Sequence, residues 1–84
     1  MTKDQIRRWR ERAEKIHYTS RWDMGKAIVL AEEIHRWSLA PLRGAAEFFL
    51  GQTKRKEMDI EMSAPRNSFY RLLLILREEE DRSG

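Results

Sequence analysis

The stretch SAPRNSFYRLLLIL, residues 63–76, decides how this chain is read. Pro65 suits the first turn of a helix, where its missing N–H removes no intrahelical hydrogen bond. Phe69, Leu72, Leu73 and Leu76 then recur at spacings of three and four, the period of a helix that buries one face. Arg66, Asn67, Tyr70 and Arg71 fall on the outward side. Leu74 and Ile75 are left over, apolar residues with no place on the inner stripe. The stretch predicts a helix from Pro65 to about Asp81 whose first turns are polar outside and whose middle is aliphatic.

Upstream, KRKEMDIEM (54–62) predicts a short helix capped by Thr53, with Met58 and Met62 as an i, i+4 pair. Before it, AAEFFL lies between Pro41 and Gly51, which reads as a helix over about 40–50 with Gly51 as its stop. Helix two is expected to start near Trp22 and end around Ser38, with Ala27, Leu30, Ala31, Ile34 and Trp37 on one face. Thr2 and Gln5 form a capping box for a first helix over about 3–17, cored by Ile6, Trp9, Ala13 and Ile16. Residues 17–20 form the break after it. No strand pattern competes. The expectation is an all-α domain over residues 1–84, a compact bundle of four or five short helices with a helix-turn-helix at about 53–80, its last residues disordered.

Composition narrows the chemistry. With 84 residues, nearly every periodic apolar side chain is needed for the core, leaving little room for a deep pocket. The chain has no cysteine, so disulfides and thiolate metal sites are excluded and a reducing compartment is compatible. The opening MTKDQIRRWRERAEK lacks the apolar core of a secretory signal, and LLLIL is too short to span a bilayer, so a cytoplasmic protein without membrane association is expected. His17 and His35 belong to no nucleophilic triad, the four glycines form no phosphate loop, and the lone Glu32–His35 pair lacks the partners a metal site needs. The chain reads as a non-enzyme without cofactor or metal.

Charge is segregated. The 17 basic and 14 acidic residues give a net charge of +3. Lys3, Arg7, Arg8, Arg10, Arg12 and Lys15 crowd the first helix, Lys54, Arg55 and Lys56 form a second cluster, and Glu78 to Asp81 hold the acid. Such clusters suit an anionic partner.

A helix-turn-helix needs a short helix, a tight turn and a second helix whose exposed first turns enter the major groove. Residues 53–76 have that spacing. Arg66, Asn67, Tyr70 and Arg71 would then read base edges, arginine pairing with guanine and asparagine with adenine. Thr53, Lys54, Arg55, Lys56 and Ser68 would hold phosphates. Leu74 and Ile75 would form a homodimer interface, since one recognition helix supplies few contacts.

SAPRNSFYRLL resembles the turn and recognition helix of bacterial and phage helix-turn-helix proteins. LAPLRGAAEFFLGQTKRKEM before it resembles the preceding helix and connection of sigma-factor region-4-like domains, so the resemblance covers residues 39–77. It implies a small DNA-binding transcriptional regulator, with Arg66, Asn67, Tyr70 and Arg71 in recognition positions and Asp59 facing the recognition helix. The alternative is a small helical protein-interaction module, a phage-type inhibitor or adaptor, whose basic clusters meet an acidic protein partner.

Overall fold

Thr2 accepts a hydrogen bond from the Gln5 N–H at 3.2 Å, starting α1 (Lys3–Glu14) as its capping pattern predicts. Ser20 does the same for α2 (Arg21–Trp37), accepting from the Asp23 N–H at 3.2 Å, while the Asp23 carboxylate accepts from the Thr19 N–H and hydroxyl. Two further helices, α3 (Leu42–Arg55) and α4 (Ser63–Ser83), follow among the described residues. The computed structural model describes residues 2–55 and 63–83, and no strand occurs among them. The all-α expectation holds.

Element boundaries differ from the sequence reading in instructive places. α1 ends at Glu14, three residues early, because the chain turns so that Ile16 and Tyr18 enter the core from the loop. Gly51 does not stop α3, which runs on to Arg55. Thr53 caps no new helix: its hydroxyl donates to the Leu50 carbonyl at 2.7 Å within α3. Lys56, Met58, Asp59 and Met62 lie outside the described residues, whereas Ser63, Ala64 and Pro65, expected as the turn before the recognition helix, form the first turn of α4 itself. α4 is helical to Ser83, and its acidic end is engaged rather than loose. Trp37, expected inside, is 67% exposed, and Leu73 packs only at the edge of the core.

α1 and α4 run antiparallel and are joined by charge. Glu80 accepts from Arg7 at 3.4 Å and from Arg10 at 2.5 Å, and Glu14 bridges Arg10 at 2.6 Å and Arg77 at 2.8 Å. Arg77 first, then Arg10, holds the Glu14 carboxyl below its ordinary value, and Arg10 does the same for Glu80. A carboxylate with a depressed folded-state pKa contributes stability above its unfolded value and loses it as pH falls. The chain is therefore expected to lose stability as pH falls below about 4.5, the ordinary glutamate value. A Glu14→Gln, Glu80→Gln double variant should show a shallower acid-side decline in melting temperature. An unchanged decline would place the acid sensitivity elsewhere.

The core centres on three aromatic rings from three elements. Tyr18 from the α1–α2 loop, Phe49 from α3 and Phe69 from α4 meet with ring centroids 5.6 to 6.2 Å apart. Tyr18 reaches this position with a left-handed backbone, φ 56°. Around the rings pack Trp9 and Ile6 of α1, Leu30 and Ile34 of α2, and Leu72 and Leu76 of α4. The Trp9 indole N–H is satisfied by Glu33 at 2.7 Å, which also pairs with Arg12.

Gly51 supplies a direct test of the extended α3. A Cβ built there meets nothing within 4 Å and its φ is not positive. Gly51→Ala should therefore raise stability by about 0.5–1 kcal/mol through helix propensity alone. A urea melt showing destabilisation would restore Gly51 as a left-handed helix stop.

Candidate functional site

The residues expected to read DNA share the outer arc of α4 but diverge in their surroundings. Arg66, Asn67, Tyr70 and Arg71 are all exposed. Tyr70 leans toward the α1–α2 loop, its hydroxyl donating to the His17 carbonyl at 3.3 Å. Arg71 lies on the other flank, where with Pro41, Phe48 and Ile75 it lines an apolar hollow of about 460 Å³ between α3 and α4. Neither Arg66 nor Arg71 enters an ion pair among the described residues. Ser68, expected at a phosphate, is only 8% exposed and lines the same hollow between α3 and α4. Thr53 is spent on the α3 backbone. The side chains of Lys54 and Arg55, and all of Lys56, lie outside the described residues.

The expected oligomer pair also divides. Leu74 is 52% exposed, whereas Ile75 is partly buried against the core. The N-terminal basic cluster loses much of its free charge, since Arg7, Arg10 and Arg12 are paired with Glu80, Glu14 and Glu33. His35 lies 3.8 Å from Glu47 of α3, and no cluster of metal-ligating side chains occurs among the described residues. No described helix is long and apolar enough to cross a membrane.

A site that the sequence reading missed lies between α1 and α2. Ile16 and Leu30 form the floor of an open groove of about 670 Å³, and Trp22 and Val29 form its walls. Trp22 is 75% exposed and Val29 58%, an arrangement that leaves apolar surface in water at a concave site. Arg12, Lys15 and Lys26 edge the groove, and no acidic residue lines it among the described residues. Lys26 sits with its ammonium 5.0 Å from the centre of the Trp22 ring, a cation–π contact that holds the indole in place. The sequence held a usable signal: Trp22, Gly25, Lys26 and Val29 recur at i, i+3, i+4 and i+7, off the stripe that Ala27, Leu30, Ala31 and Ile34 fill.

No family model, curated protein or solved structure matches this chain.

Proposed function

We infer that this chain is a small helical protein-interaction module that holds a segment of another protein in the α1–α2 groove. The observation that carries this reading is the concave apolar surface made by Ile16, Trp22, Val29 and Leu30, with an indole left in solvent. Exposed tryptophan at a concave site is costly to leave uncovered and supplies large contact area at low entropic cost when covered. Selection from a displayed library of helical peptides tests this reading. Selected binders should shift the Trp22 indole N–H resonance, and Trp22→Ala should weaken them at least about tenfold, a typical result for an interface anchor. Binders that ignore Trp22 would refute the assigned site.

A second reading, a helix-turn-helix DNA-binding regulator, draws on one observation: Arg66, Asn67 and Arg71 are exposed on the first turns of α4, and the two arginines are unpaired among the described residues. The resemblance of residues 39–77 to sigma-factor region 4, and dimerisation through Leu74, belong with this reading. Binding to random duplex DNA at two salt concentrations separates the two. Strong binding that falls steeply with salt favours DNA, and its absence at low salt favours the protein partner.

A further inference from the structure

We propose that the occupant of the α1–α2 groove is an acidic amphipathic helix, with aliphatic or aromatic side chains on one face and carboxylates flanking them. The proposal rests on the interaction-module reading above and adds the chemistry of the partner. The groove's walls and floor are apolar, and among the described residues three cations and no carboxylate line it, although Glu33 pairs with Arg12 beside it and Asp23 lies near Lys26. Arg12 is already bonded to Glu33 at 2.7 Å, so Lys15 and Lys26 are the cations available to a newcomer. Lys15 stands at the end of α1 and Lys26 in the second turn of α2, so both helices contribute a positive charge to the groove.

Gly25 contributes room. It lies inside α2, where glycine is a poor helix former, and a Cβ added there meets nothing within 4 Å. Its missing side chain leaves the space between Trp22 and Val29 open. A helix laid in such a groove anchors through side chains at i, i+3, i+4 and i+7, matching an apolar trough bounded by charge. Carboxylates beside those anchors would reach Lys15 and Lys26, and Lys26 could form its ion pair while its methylenes stay against the indole. Opposite charge around an apolar anchor raises the encounter rate and disfavours basic segments.

The experiment uses three synthetic helical peptides with leucines at i, i+3, i+4 and i+7. They differ only in the flanking positions, which are glutamate, glutamine or lysine. Binding to the full chain is measured by fluorescence anisotropy, with the Trp22 indole resonance as the reporter of location. The glutamate peptide is expected to bind at least about tenfold more tightly than the lysine peptide, with the glutamine peptide between them. A Lys15→Glu, Lys26→Glu variant should reverse that order, and Gly25→Leu should block all three by filling the groove. Circular dichroism verifies that each variant is folded, and Trp22→Ala, which leaves the charges unchanged, should also lose binding.

Equal binding of the three peptides at Trp22 would overturn the acidic preference while leaving the interaction-module reading intact. If no peptide moved the Trp22 resonance, both would fall. Association with vesicles of phosphatidylglycerol and phosphatidylcholine in place of peptide binding would overturn the proposal in favour of an anionic lipid surface.

Discussion

Phe69→Ala is expected to destabilise the chain by about 3–5 kcal/mol, the range for removing a buried aromatic ring. Phe69 is fully buried and touches both other members of the aromatic centre, Tyr18 and Phe49. Alanine leaves a cavity where three elements meet, and none of them can close it without moving a helix. Stability for ordinary domains lies at about 5–15 kcal/mol, and a chain this short sits toward the lower end. The variant should therefore melt at least about 12 °C below the parent, or be largely unfolded at room temperature. Leu74→Ala, on the side of α4 opposite the buried stripe, provides the internal comparison: a half-exposed leucine should change stability by no more than about 0.5 kcal/mol. Similar losses for the two would contradict the inward face assigned to α4.

Tyr18→Phe should do the reverse and stabilise the chain by about 1–3 kcal/mol, the desolvation cost of an unsatisfied buried polar group. The Tyr18 hydroxyl is buried and makes no hydrogen bond among the described residues, while its ring packs on Phe49 and Phe69. Phenylalanine keeps the ring and removes the oxygen. A second readout follows from the same burial, which pushes the phenol up to about 12 from its ordinary 10. The folded chain then holds its proton where the unfolded chain releases it, so stability falls as pH rises between those values. Tyr18→Phe should lose that part of the alkaline decline. A variant less stable than the parent at neutral pH would mean that the hydroxyl has a partner, and the left-handed backbone at Tyr18 would then carry the only local cost.

Local chemistry alone determined much of this architecture. The Thr2 cap, the helical recurrence of Ile6, Trp9 and Ala13, and the Phe69, Leu72 and Leu76 stripe are interactions within one turn or two of the chain, so their spacing already states which face turns inward. The polar outer arc of α4, with Arg66, Asn67 and Arg71, followed from the same periodicity.

Tertiary structure decided what periodicity cannot express. Gly51 has the propensity of a stop, yet α3 passes through it because packing across α2 and α4 outweighs a propensity term of about 1 kcal/mol. Tyr18 looked like part of a break, and only the meeting of α3 and α4 supplies the rings that draw it inward. The basic run of α1 looked free for an anionic partner until α4, some seventy residues later, returned Glu80 to Arg7 and Arg10. Trp22 and Val29 became a groove wall only when Ile16 from another element completed the floor. Each of these depends on contacts between residues distant in sequence, which the spacing within a single helix does not encode.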